Sequence, residues 1–139
     1  MTAVDSDFQV SEIVGRAPYH RLLGLDFVSQ DADAGEVRLG LDLCPELMRT
    51  NDGDGMHGGA IASLIDVAAY YAVRLAAGRG GATVALSVDY LRPLTGKRAE
   101  AAARAVRVGR TQALADIEVF GDGRLVAVGR ARFALSEKS

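Results

Sequence analysis

The sequence predicts an α+β domain in which a curved antiparallel sheet wraps one long central helix. Two observations carry this. The run GGAIASLIDVAAYYAVRLAAG is apolar at a 3.6-residue period, about five turns long and bounded by glycines. Beyond it the pattern changes to the two-residue alternation of strands, with a strong turn signal at Asp122-Gly123.

In chain order, Phe8, Ile13, Val14, Leu22 and Leu23 suggest a short amphipathic N-terminal helix that runs into a break at Pro18 and then a corner at Leu23-Gly24. Between Leu25 and Leu43, LDFVS and EVRLGLDL flank DADAG, a hairpin with Gly35 in the turn. Residues 45–56 collect Pro, Asn, Asp and Gly and read as a loop. After the long helix, Val84, Leu86, Val88 and Tyr90 fall on one face of a strand, and Thr83, Ala85, Ser87 and Asp89 on the other. KRAEAAARAVRV is ambiguous because alanine favours helix. TQALADIEVF alternates cleanly, and GDGRLVAVGRARFAL closes a hairpin. Three or four strands therefore come after the helix.

With 139 residues the chain has the size of one domain, spanning residues 1–139. It is 49% hydrophobic and 24% charged, and no stretch reads as apolar enough to span a bilayer. A net charge of −2 offers no electrostatic footprint for nucleic acid or an anionic membrane. The opening MTAVDSDFQV lacks the basic and apolar regions of a secretory signal, so a cytoplasmic location is expected. Cys44 has no cysteine to pair with and no neighbours at metal-ligand spacing; it is expected to be a small buried hydrophobe, and no metal site is expected.

Ile61, Leu64, Ile65, Ala68, Ala72 and Leu75 form the core stripe of the long helix, and Ala60, Ala62, Val67, Ala69 and Val73 extend apolar character nearly all round. Such a helix is buried, and its middle carries few polar groups: Ser63, Asp66, Arg74 and the phenols of Tyr70 and Tyr71. An ionised carboxylate buried without a partner costs several kcal/mol or shifts its pKa upward. Asp66 either caps backbone, pairs with a basic residue or meets water at a narrow edge, or it faces a substrate pocket. His57-Gly58-Gly59 stands where the helix begins. The first N–H groups of a helix lack internal partners and carry the positive end of its dipole. Glycines there either permit a tight turn or let a carbonyl oxygen approach the backbone as it becomes an oxyanion.

Asn51, His57-Gly58-Gly59 and Asp66, followed by ATVALSVDYLRP (Ala82 to Pro93), VRVGRTQAL, IEVF and VAVGRARF, resemble the hotdog-fold acyl-CoA thioesterases of the phenylacetate-degradation type. The likeness runs from the Leu23-Gly24 corner to the end. It implies a hotdog fold and a homodimer whose two sheets join side by side, with active sites at the subunit interface; pairing of dimers into a tetramer is left open. It implies that Asp66 acts as nucleophile or as general base on water, that the Gly58 N–H polarises the thioester carbonyl, and that Asn51 helps place the reacting groups. Thr83 stands where the family has a hydroxyl residue assisting the carboxylate, often Ser. His57 is implied to fix the loop by hydrogen bonds, and Gly59 to let the substrate approach. For coenzyme A, which is part of the substrate and no cofactor, the resemblance points to Tyr90, Leu91, Arg92 and Pro93 and to Arg110 and Thr111 after Gly109. Guanidinium donors match phosphate oxygens. Ala60, Ala62, Ser63 and Ala69 leave space, and Tyr70 and Tyr71 border an aromatic or medium-chain acyl group.

Two rival readings remain. Asp52 and His57 have the spacing of the Asp–His pair in hotdog hydratases, but those enzymes carry Asn where this chain has Asp54. A non-catalytic acyl-CoA-binding domain predicts loss of the helix carboxylate, which is retained, or an added basic DNA-binding segment.

Overall fold

The computed structural model describes residues 8–137. A 3-10 turn, Val10–Glu12, precedes helix α1, Pro18–Leu23. Here the structure corrects the sequence-based expectation: no helix runs into a break at Pro18. Proline instead occupies the first turn of α1, where its missing N–H costs nothing and its fixed φ suits the helix. Gly24 closes α1 in the left-handed conformation at φ 75°, as the Leu23-Gly24 corner leads one to expect. Leu22 departs from its assignment to an apolar face, being 78% exposed.

Strands β1 (Asp26–Asp31) and β2 (Glu36–Asp42) form the expected hairpin, with Gly35 at φ 63°. The next loop holds a 3-10 turn, Pro45–Leu47, and is pinned by a Met48–Met56 bridge. Cys44, expected to be buried, is half-exposed. Helix α2, Gly58–Ala77, is the predicted long helix. Strands β3 (Gly81–Tyr90), β4 (Arg98–Val108), β5 (Gln112–Gly121) and β6 (Arg124–Leu135) complete a six-stranded antiparallel sheet in the order β1-β2-β4-β5-β6-β3. The β5–β6 turn is Asp122-Gly123, with φ 52° and 75°, the double left-handed geometry of a tight hairpin.

One face of the sheet curls around α2, so this is the hotdog architecture. Ile61, Leu64, Ile65, Ala68, Ala72 and Leu75 are all buried against Leu39 and Leu41 of β2, Ile117 and Val119 of β5, and Phe133 of β6. The alanine-rich segment of uncertain type is strand β4. Its Ala99, Ala101 and Ala103 alternate inward at 0–1% exposure, small residues that let the helix lie close, and this packing overrides alanine's helix preference. Contrary to the expectation that no stretch is apolar enough, α2 passes a membrane span's test of length and composition. In this fold the sheet takes the place that lipid would have.

The other sheet face is charged. Glu36, Arg104, Asp116 and Arg130 lie side by side across four strands and line a shallow concavity. Arg130 binds Asp116 through both carboxylate oxygens, at 2.7 and 3.1 Å. Hydrogen bonding to Arg130 holds Asp116 below the usual carboxylate range, with Arg104 adding to the effect.

Edge strand β3 departs from simple alternation. Thr83 pairs with Phe133 and Ala85 with Arg132, so Val84 is an extra, bulged residue. A bulge moves the residues on either side of it out of the alternating pattern. Thr83 thereby joins Leu86, Val88 and Tyr90 on the helix side, the face opposite to the one that alternation assigns it. Nor is this strand's apolar set buried: Val84 is 53% exposed, Leu86 40% and Tyr90 52%.

Candidate active site

Asp66 sits mid-way along α2, half-buried at the seam between the helix and β3. The Thr83 hydroxyl donates to Asp66 Oδ1 at 2.7 Å. A hydroxyl bond to a charged acceptor contributes roughly 1.5–3 kcal/mol. It fixes one carboxylate oxygen, and among the described residues no hydrogen bond engages the other.

Both residues line a cavity of about 420 Å³. Its walls are Tyr70, Tyr71 and Arg74 from α2 and Ile13, Arg16 and His20 from the N-terminal segment. Tyr70 and Tyr71 were expected near the acyl group; Arg16 and His20 were not, because nothing local shows that residues 13–20 cross a helix some fifty positions later. Side-chain bonds tie that segment down. His20 Nδ1 lies 3.0 Å from the Tyr71 hydroxyl and 3.2 Å from the Val14 carbonyl, and Tyr19 and Ser63 hydroxyls meet at 2.6 Å. Burial, reinforced by Tyr70 and opposed by Arg74, pushes the Tyr71 phenol up, so it stays protonated and can donate.

The start of α2 forms a second cluster. His57 is the N-cap: its Nδ1 accepts the Gly59 N–H at 2.8 Å, consistent with a loop-fixing role. The Gly59 N–H is thus occupied. Among the described residues no hydrogen bond engages the Gly58 N–H. Tyr90 donates to the Gly58 carbonyl at 2.6 Å, and a Cβ on Gly58 would stand 3.3 Å from the Tyr90 ring. Asn51 is exposed in the preceding turn, and no hydrogen bond among the described residues joins it to Asp66. The hydratase pair is not assembled either: Asp52 bonds through its backbone to Thr50, while the His57 ring caps the helix.

The two clusters do not meet within one chain. Gly58 and Asp66 are eight residues apart, about 12 Å along the helix axis, whereas one thioester carbonyl needs both within about 3 Å of its own atoms. The segments expected to hold coenzyme A are separated in the same way. Leu91 and Arg92 come after the end of β3, their N–H groups bound to the Val126 carbonyl. Arg110 and Thr111 stand at its beginning, where the Thr111 carbonyl holds Leu135, the partner of Gly81. From Ala82 to Tyr90 is about 26 Å of strand. Beside Arg110 and Thr111, Arg107 and Arg132 line a concavity of about 440 Å³. These two arginines stand outside the set expected from the sequence, since only the pairing of strands brings them together.

A sheet rolled on one helix, with a hydroxyl-bonded carboxylate at the seam and the open Gly58 N–H at the helix start, defines a hotdog-fold hydrolase. The thioesterase superfamily model matches residues 54–128, and the chain belongs to that superfamily, as a thioester hydrolase. It is 38% identical to a Halobacterium salinarum protein provisionally named an esterase, over 96% of each chain. It is 30% identical to the medium/long-chain acyl-CoA thioesterase YigI of Salmonella typhimurium, over 90% of this chain and 92% of the relative. A variant of the phenylacetic acid degradation protein PaaI of Thermus thermophilus superposes with a TM-score of 0.75 at 26% identity, covering 85% of this chain and 98% of that one.

Proposed function

We propose that the protein hydrolyses an aromatic or medium-chain acyl-CoA to the free acid and coenzyme A, at two sites shared between the subunits of a homodimer. The observation that carries this is the placement of the two clusters at opposite ends of one edge strand. Asp66 is bonded to Thr83 near the start of β3, and Gly58 to Tyr90 at its end. Antiparallel pairing of two β3 edges about a two-fold axis sets the start of each strand beside the end of the other. Asp66 then faces the second copy's oxyanion donor, and Arg110 and Thr111 face its Tyr90–Pro93 segment. The exposed apolar residues of β3 and the strand's unpaired edge groups support pairing there.

In this site the Gly58 N–H, at the positive end of α2, accepts the charge that develops on the thioester oxygen. Asp66 either attacks the carbonyl carbon, giving an anhydride that water opens, or takes a proton from water as water attacks. In both routes the carbon–sulfur bond breaks and the thiolate leaves as coenzyme A. Thr83 holds the carboxylate in position, and Asn51 comes from the loop beside Gly58. Arg92, Arg107, Arg110 and Arg132 supply donors to the coenzyme A phosphates. Similarity to YigI supports an acyl-CoA substrate. The test is a panel of acyl-CoA thioesters without added metal, read by free-thiol release. Hydrolysis of an aromatic or medium-chain member is expected. Inactivity across the panel together with hydration of an enoyl-CoA would overturn the reading.

A further inference from the structure

The polar stripe on α2 is longer than thioester hydrolysis requires. Ser63, Asp66, Tyr70 and Arg74 succeed one another at spacings of three and four, so they share one line of the helix, and each is half-buried. Tyr70 and Arg74 extend the cavity beyond Asp66, and Arg16 joins them from the N-terminal segment. Of the described residues lining that cavity Asp66 is the one carboxylate, against two guanidinium groups, an imidazole and two phenols. A plain hydrocarbon tail would pack on Ile13, Ala17 and Val67 but displace water from these polar groups without replacing its hydrogen bonds. A carboxylate would return charge-assisted, in-plane hydrogen bonds.

The spacing sets the size of the group. Arg74 donates to the Tyr70 hydroxyl at 3.3 Å, so its guanidinium folds back by one turn. The Phe8 ring lies 5.0 Å from the guanidinium carbon, within cation–π reach, and among the described residues the bond to Tyr70 is the one side-chain hydrogen bond Arg74 makes. Tyr70 is four residues from Asp66, about 6 Å along the axis. A carbonyl beside Asp66 and a carboxylate beside Arg74 are then bridged by a chain of about four to six carbons.

We infer that the acyl group is a short ω-carboxyacyl group, its thioester carbonyl at Asp66 and its distal carboxylate on Arg74 and Arg16. This rests on the acyl-CoA hydrolase reading and names the substrate class within it.

Adipyl-CoA and hexanoyl-CoA, equal in chain length and different in the terminal carboxylate, are compared by free-thiol release with the parent, Arg74→Gln and Arg16→Gln. The parent is expected to favour adipyl-CoA in kcat/KM by at least ~10-fold, the scale of one charge-assisted bond, with the ratio falling toward one in Arg74→Gln and declining in Arg16→Gln. Equal rates on both thioesters, or a preference untouched by either substitution, would overturn the inference and leave thioester hydrolysis standing. Should neither thioester be cleaved, calorimetric binding of the pair to Asp66→Asn decides: tighter adipyl-CoA binding supports the pocket without the hydrolase reading, and equal binding overturns the inference.

Discussion

The Thr83 hydroxyl reaches Asp66 because Val84 is an extra residue in the strand. The 2.7 Å bond between them joins positions 17 apart, across the turn from α2 into β3. Thr83→Val, which keeps the shape and removes the donor, is expected to lower kcat by about 10- to 100-fold, in line with ~1.5–3 kcal/mol for a bond to a charged group. Thr83→Ser should retain most activity. Deleting Val84 joins Thr83 directly to Ala85 and keeps it opposite Phe133, on the helix side, so the deletion variant should retain the bond and more activity than Thr83→Val; a folded deletion variant as impaired as Thr83→Val would contradict this.

Asp66→Asn keeps volume and most hydrogen bonding and removes the charge. Turnover is expected to fall by ~10²–10⁴-fold with substrate affinity far less changed. A thermal midpoint measured beside turnover separates chemistry from folding. A variant that melts well below the parent yet turns over normally per folded molecule would assign Asp66 a structural role.

The proposed shared site predicts complementation. Gly58→Val places a branched side chain against Tyr90 and blocks approach to the N–H, and Asp66→Asn removes the carboxylate. Each protein alone should be nearly inactive. Mixed after unfolding and refolded together, they form hybrid dimers with one intact site, and activity should recover to about a quarter of the parent value by statistical exchange. No recovery, with hybrids demonstrated by mass, would place both groups in one subunit.

On the outer face, Arg130 lowers the Asp116 pKa, so the pair stabilises the fold above the ordinary carboxylate range and loses its effect as pH falls through the lowered value. Asp116→Asn should therefore unfold at lower urea than the parent near neutrality. The two midpoints should converge as pH is brought from about 6 to about 2. Both groups are exposed, so the difference should be small and should shrink in high salt.

Helix α2 was legible because twenty residues share one period between glycines, and the Asp122-Gly123 hairpin because only a few residue types take two successive positive φ values. β4 was not, since Ala99, Ala101 and Ala103 carry a helical propensity that yields only to the helix packed on them. Pro18 was read as a stop and is a start, two roles that one proline without its neighbours does not separate. Asp66 stood out as a carboxylate on an apolar helix. Its link to Thr83 came from resemblance, because the bulge at Val84 has no glycine to announce it and alternation alone points Thr83 the wrong way. Arg16, His20, Arg107 and Arg132 reach their cavities only through tertiary contact.

The sheet order also sets a sequence of events during synthesis. β3 comes directly after α2, yet among the described residues the one strand it pairs with is β6, the sixth in chain order. While residues 91–123 emerge from the ribosome, β3 has no strand to join, and Thr83 has nothing to hold it beside Asp66. The carboxylate acquires its partner only when residues 127–135 arrive. A chain that stops before residue 124 therefore has α2 but lacks the strand that seats Thr83 beside Asp66.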